Sequence, residues 1–380
     1  MIALLLLLVL SGCAAAPKVL PRVPVTIGTS ASTTVVVTQP LASASVLTFD
    51  GVGVAPKTVD LTRNALARIS FVLSRSAEVG LDLVDEEGVV VRHLNLGNLE
   101  AGRHAALWDG HNDRGQRVPS GVYRYVLGAQ AVDGQSATYN PSEQTGGEEL
   151  DVRDFAYDKP TGQLRWIMPR AGRARLRVGI EGFPHLNTLL DWEPFEAGPQ
   201  RVIWDGLDES GLIRVEDHSH LSIKLSAFAL PDNTIIVQSP QLASAKSSET
   251  AQYPPDVKMQ GYLHARHRRI DCGEVGLRVE FPESARKDAK GRPIVSGKIP
   301  VRVSLRGHNM AHTINQRFEV MLYEDLTALF EEEDSLNPFT FMWDTTRLTP
   351  GSHLLTVNIL SYDDHFGVST VPVVVEASPG

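Results

Sequence analysis

Gly102-Arg-His-Ala-Ala-Leu-Trp108-Asp109-Gly110-His-Asn112-Asp113-Arg-Gly115 is answered, with the same spacings, by Gly198-Pro-Gln-Arg-Val-Ile-Trp204-Asp205-Gly206-Leu-Asp208-Glu209-Ser-Gly211. Opening glycine, Trp-Asp-Gly and closing glycine recur in step. An internal repeat at this distance means two copies of one supersecondary unit, so the 380-residue chain reads as modules and not as one catalytic body. That arrangement favours binding or scaffolding.

The repeat extends upstream. Ile69-Ser-Phe71-Val-Leu73 and Val79-Gly-Leu81-Asp-Leu83 answer to Leu164-Arg-Trp166-Ile-Met168 and Ala174-Arg-Leu176-Arg-Val178. Alternation with period two sends one set of side chains into a core and the other into water, as in an antiparallel strand. Turn formers stand between the runs, Asp85-Glu-Glu87-Gly88 being the clearest, because glycine takes the positive φ that a tight hairpin needs. Each copy is therefore expected to be a small β-sandwich with Trp108 or Trp204 anchoring its core.

A chain of this length supplies two or three domains. The first sandwich is expected over residues 46–132 and the second over 150–238, with the polar stretch from Asp133 to Gly147 between them. Residues 261–377 repeat the strand grammar without the motif: Ile299-Pro-Val301-Arg-Val303, Phe318-Glu-Val320-Met-Leu322 and Leu355-Thr-Val357-Asn-Ile359 alternate. Leu326, Leu329 and Phe330 have helical spacing, but they sit among alternating strands, so Asp325–Glu333 is read as strand or loop. The fold class expected is all-β: three tandem immunoglobulin-like antiparallel β-sandwiches.

At the start, an apolar run from Ile2 to Leu10 closes in Ser11-Gly12-Cys13, and no Lys or Arg precedes it. The run is shorter than the ~20 apolar residues of a membrane span. It resembles the lipobox of bacterial lipoproteins. That resemblance implies a signal peptide over residues 1–12, an acylated Cys13 and, with Ala14 in place of the inner-membrane retention aspartate, an outer-membrane location. Residues 13–45 are rich in Ala, Pro, Ser and Thr and read as a flexible tether.

Trp108-Asp109-Gly110, Gly115 and Val118-Pro119-Ser120-Gly121-Val122-Tyr123, with Gly88 and Gly102 upstream, carry a second resemblance. Residues 46–132 resemble the Ig-like domain of the flagellar hook-capping family, FlgD-like. The second copy keeps Trp204, Asp205, Gly206 and Gly211 but lacks the Pro-x-Gly-x-Tyr ending, and residues 261–377 are similar to bacterial Ig-like modules. The resemblance implies a fold, and domains of this fold carry many functions.

Asp109, Asn112 and Asp113, with Asp205, Asp208 and Glu209, gather oxygens within short turns, which is the ligand chemistry calcium prefers. Their spacing is not that of an EF-hand, and Asp or Asn beside Gly is what a plain turn requires. Turn-shaping is the expectation, with no metal and no cofactor. His218 and His220 would share a strand face and His264 and His267 form another pair, but neither comes with the further ligands zinc needs. Cys272 reads as a buried small residue. Gly-x-Ser-x-Gly, His-Glu-x-x-His, Cys-x-x-Cys and phosphate-cradling glycine loops are missing from the sequence.

With 45 acidic against 36 basic side chains the chain carries a net charge of −9, so nucleic acid is not an expected partner. The functional expectation is a non-enzymatic outer-membrane lipoprotein, held by its lipid anchor and serving as a structural or protein-interaction module of an envelope assembly. The alternative is a carbohydrate-binding surface lipoprotein that stacks exposed aromatics on a glycan.

Overall fold

The computed structural model describes residues 46–63, 65–182, 184–238, 274–306, 317–361 and 365–377. Cys13, the tether, His264, His267 and Cys272 lie outside the described residues. Among the described residues the chain is all-β, with strands and short 3-10 turns and no α-helix, and they form two-sheet β-sandwiches.

The first sandwich contains β1 (Phe49–Ala55), β2 (Thr58–Asp60), β3 (Ala67–Leu73), β4 (Ala77–Val84), β5 (Val90–Leu99), β6 (Gly102–Trp108), β7 (Gly121–Gln130) and β8 (Ser136–Tyr139). One sheet runs β1-β3-β6, and the other is built around β7-β4-β5. Alternation decides which face is inside: Ile69, Phe71 and Leu73 of β3 are buried in one core cluster with Val79, Leu81 and Leu83 of β4. Burying each such side chain stabilises the fold by about 1.5–3 kcal/mol. The β4–β5 hairpin turns at Asp85, whose N–H donates to the Val89 carbonyl, with Gly88 at φ 84°.

The second sandwich contains β9 (Arg153–Asp158), β10 (Gln163–Met168), β11 (Gly172–Ile180), β12 (His185–Phe195), β13 (Gly198–Ile203) and β14 (Leu221–Ala229), in sheets β9-β10-β13 and β12-β11-β14. The connectivity repeats that of the first. Although the Pro-x-Gly-x-Tyr signal is absent here, β14 lies beside β11 as β7 lies beside β4.

Thr234–Gln238, expected at the end of the second sandwich, forms a strand of the first. As β15 it pairs antiparallel with β7, Thr234 opposite Arg124 and Val237 opposite Gly121, and parallel with β2. The same edge of β7 is taken one step further along by β8, with Tyr139 opposite Leu127. Between the two, the Tyr125 N–H donates to the Asn233 carbonyl at 3.0 Å. The two registers are in step: Tyr139 faces Leu127 and Thr234 faces Arg124, which leaves Val126 and Tyr125 of β7 for Asn140 and Asn233 between them. One strand is thus interrupted after Asn140, residues 141–232 loop out to build the whole second sandwich, and the strand resumes at Asn233. The polar stretch Asp133 to Gly147 is accordingly not a plain separator, since β8 and the 3-10 turn Pro141–Glu143 lie within it.

The third sandwich contains β16 (Gly276–Glu280), β17 (Ile294–Val295), β18 (Lys298–Arg306), β19 (Phe318–Glu324), β20 (Thr327–Ser335), β21 (Phe339–Asp344), β22 (Gly351–Ser361) and β23 (Phe366–Val375). Its sheets run β16-β18-β21 and β17-β23-β22-β19-β20. Here β23 pairs with β22 along its whole length and β17 lies parallel to it, so the third sandwich makes in one piece the strand that the first receives in two. Asp325 and Leu326, at φ 47° and 68°, form a two-residue hairpin turn, and the chain continues as the strand β20. Positive φ at both turn positions matches the twist of the flanking strands.

Candidate functional site

Trp108 and Trp204 are each 1 % exposed, and their indole N–H groups donate to the carbonyls of His111 and Leu207 at 3.0 and 2.8 Å. Asp109 and Asp205 each accept the backbone N–H two residues ahead, from His111 and Leu207, at 3.1 Å. Asn112 Oδ1 accepts from Arg114 and Gln116, and Asp208 Oδ1 from Leu212 and Ile213. The third sandwich builds the same turn on Asp288, which accepts from Lys290 and Arg292. Asp113 instead reaches across to accept the His93 N–H.

The closing glycines Gly115 and Gly211 both sit at φ 72°, and at Gly206, φ 80°, an added Cβ would lie 2.3 Å from the Glu216 carboxyl carbon. These oxygens therefore serve the turns' own amides. No group of three or more His, Cys, Asp or Glu among the described residues is placed to hold a metal. His218 and His220 do not share a strand face: they follow the 3-10 turn Val215–Asp217, where the His220 N–H donates to His218 Nδ1 at 3.2 Å, because the chain must turn before β14. None of the five tryptophans is exposed.

Polar side chains concentrate instead where the sandwiches meet. Arg173, Arg175 and Arg177 alternate along β11 with Ala174, Leu176 and Val178, which enter the cores of the second sandwich. Alternation predicts that the arginines face water. They are 8, 7 and 8 % exposed, because the neighbouring sandwiches and a bulge of their own sheet cover them. Where β12 bulges between Leu190 and Glu193, Trp192 at φ 55° folds over the face, with the Arg175 guanidinium 4.5 Å from its ring centroid. Arg177 lies 4.2 Å from the ring centroid of Phe366, on β23 of the third sandwich. A planar, weakly hydrated guanidinium tolerates this covering better than an ammonium would.

Each end of the ladder is clasped by a carboxylate from another sandwich. At one end Arg173 pairs with Glu86 of the β4–β5 turn, which also accepts the Val122 N–H at 3.0 Å. Beside it Val122, Leu230 and Ile236 form a small apolar cluster linking the first two sandwiches. At the other end Glu274 accepts from Arg177 Nε at 2.7 Å, from the Thr188 hydroxyl at 2.8 Å and from the Phe366 N–H at 2.7 Å, while its own N–H donates to Asp191. Close by, His185 and Asn358 exchange two hydrogen bonds of 2.8 Å, from His185 N–H to Asn358 Oδ1 and from Asn358 Nδ2 to the His185 carbonyl. Leu326 and Leu354 of the third sandwich pack on the second sandwich's core.

Burial dominates the electrostatics of this joint. It pushes the Glu86 carboxyl up to about 7 against the opposing pull of Arg173. Asp191 rises to about 6 through burial and then the nearby Glu274. His185 is driven down to about 3 by burial, with Arg177 and Arg175 adding to it. Carboxylates are matched to guanidiniums and backbone amides, which makes the arrangement a joint. The Arg-x-Arg alternation is visible in the sequence but its covering is not, since the covering residues Glu86, Glu274 and Phe366 are distant in the chain.

The family match falls on the module that receives the interrupted strand. Residues 56–133 match the FlgD Ig-like domain family model. The match runs from β2 through β7 and stops before β8 and β15, the two halves of the split strand. The basal-body rod modification protein FlgD of Salmonella typhimurium (strain LT2) is 40% identical over 52 residues, 14% of this chain and 22% of that protein, and the Salmonella typhi protein of that name matches equally. The chain thus spans under a quarter of the length of these curated relatives. Among solved structures, FlgD from P. aeruginosa is 25% identical, covering 33% of this chain and 88% of that one with a TM-score of 0.21. Fibronectin(III)-like modules of Clostridium thermocellum CbhA are 10% identical, covering 87% and 94% with a TM-score of 0.19. A FlgD-like Ig domain suggests a structural or interaction module for residues 56–133.

Proposed function

We propose that this chain is a non-enzymatic, lipid-anchored outer-membrane protein whose three sandwiches act as a stiff spacer that presents interaction surfaces to a protein partner in a cell-envelope assembly. The observation that carries this reading is the interlocking of the modules. Domains joined by a single linker move relative to one another by default. Here the second sandwich leaves and re-enters the first through one strand, and buried Arg173 and Arg177 are clasped by Glu86 and Glu274 from its two neighbours. Exposed strand edges such as β20 offer a partner the backbone groups needed for strand addition. The anchor is Cys13, supported by the Leu run closed by Ser11-Gly12-Cys13.

Spin labels placed in pairs on the first and third sandwiches test the stiffness. One narrow distance distribution is expected, and a broad one overturns the spacer reading. For the anchor, Cys13→Ala is expected to abolish incorporation of labelled fatty acid and to release the chain from membranes or leave an uncleaved precursor. Unchanged labelling and sedimentation would remove the lipoprotein assignment.

A further inference from the structure

The outward face of the sheet β9-β10-β13 carries a like-charged pair that the fold does not require. Arg165 on β10 lies directly opposite Arg201 on β13, while Ala156 faces it from β9. One rung along, Ile167 lies between Arg153 and Pro199, and on the other side Gln163 lies between Asp158 and Ile203. Directly opposed residues share a face, as do alternate residues of one strand, so three arginines and two isoleucines stand on one surface. Arg153, Arg165 and Arg201 are exposed, as are Ile167 and Ile203. No ion pair holds any of the three arginines among the described residues.

The other sandwiches provide an internal control. Counting three residues back from the strand-end tryptophan, the pair Arg165–Arg201 corresponds to Ser70–Ala105 in the first sandwich and to Arg302–Thr340 in the third. In the third, Glu280 stands opposite Arg302 on the adjoining strand. Like charges directly opposite one another destabilise a strand pair. The second sandwich alone sets two arginines face to face, and does so without a neutralising partner.

We propose that this face docks on an anionic phospholipid surface, with Arg153, Arg165 and Arg201 meeting headgroup phosphates and Ile167 and Ile203 resting in the headgroup layer. The central strand β10 has neighbours on both sides, so its backbone offers a peptide no strand-addition site, whereas a fluid headgroup array fits a flat lattice of charges in many registers. Guanidiniums flanked by aliphatic side chains are what such an interface selects. The net charge of −9 does not oppose the contact at range, because charges more than about 8–10 Å away are screened at physiological salt.

The face is independent of the anchor at Cys13, so the chain carrying Cys13→Ser and lacking the apolar residues 1–12 is the protein to test, by sedimentation with vesicles. It is expected to bind phosphatidylglycerol–phosphatidylcholine vesicles, to bind phosphatidylcholine alone far more weakly, and to be released by salt. Arg165→Ser with Arg201→Ala, the residues the first sandwich uses at these places, should keep or raise the melting temperature and lower the partition coefficient roughly thirtyfold, from about 1 kcal/mol per arginine. Arg165→Lys with Arg201→Lys should retain most of the binding. Equal binding to both vesicle types, or no loss in the Ser/Ala variant, overturns the proposal. Tighter binding to poly-glutamate than to the anionic vesicles would also overturn it, and would assign the face to an acidic protein.

Discussion

Asn233 and Tyr125 complete the broken strand of the first sandwich. The Tyr125 N–H donates to the Asn233 carbonyl at 3.0 Å, and the Asn233 side-chain Nδ2 donates to the Tyr125 carbonyl at 2.8 Å, taking the place of a backbone donor at the point where the inserted chain returns. Asn233 is fully buried. Its side chain makes the difference between a strand that merely ends and one that is spliced.

Asn233→Leu should therefore leave the buried Tyr125 carbonyl without its donor, at a cost of about 1–3 kcal/mol. Chemical denaturation monitored in the first sandwich reads this directly. A cost below about 0.5 kcal/mol would show that the side-chain splice is dispensable.

The continuous register makes a deletion prediction. Joining Asn140 directly to Asn233 removes residues 141–232 and brings β8 and β15 into one uninterrupted strand, as β23 is in the third sandwich. The first sandwich is expected to fold after this deletion, whereas a chain ending at Val132 loses both half-strands and should be unstable. Amide protection along β7 distinguishes them: protection in the spliced chain and none in the truncated one is the expected result.

Trp108→Ala and Trp204→Ala each empty a core site and should each cost about 3–5 kcal/mol. Because the second sandwich is strung between the halves of one strand, losing Trp204 should also loosen β15 from β7. Hydrogen exchange that rises in the second sandwich but leaves β15 untouched would argue that the two modules unfold independently. For the turns, millimolar calcium is expected to leave the melting temperature unchanged, since backbone amides already occupy Asp109, Asp205 and Asp208. A shift of several degrees, lost on chelation and in Asp109→Asn with Asp205→Asn, would make them ligands.

The joint should respond to pH with opposing signs. Glu86 has its folded value raised to about 7 from an ordinary 4.5, so its contribution favours the fold below about 4.5 and is lost as pH rises towards 7. His185 has its value lowered to about 3 from 6.5, so its contribution is present above 6.5 and is lost as pH falls through that window. Glu86→Gln removes the first slope and leaves the second. Between pH 4.5 and 6.5 the variant's stability should thus rise with pH more steeply than that of the parent; parallel curves would mean that Glu86 does not titrate in the joint.

Strands, repeat and turns are legible in the order of the residues. Period-two alternation at Ile69, Phe71 and Leu73 or at Leu164 and Trp166 reports two unlike faces, and Asp or Asn before a positive-φ glycine reports a turn, because both are local consequences of backbone geometry. The pairing of Thr234–Gln238 and the covering of Arg173, Arg175 and Arg177 become visible only in the folded chain. A short run such as Thr-Ile-Ile-Val-Gln, apolar at its centre, is equally acceptable to any sheet edge that buries it, and its register is set by the partner strand, which here is more than a hundred residues upstream. Alternation likewise says that one face of β11 is polar, but whether that face meets water or Glu86, Trp192 and Glu274 depends on groups that only the folded chain brings together.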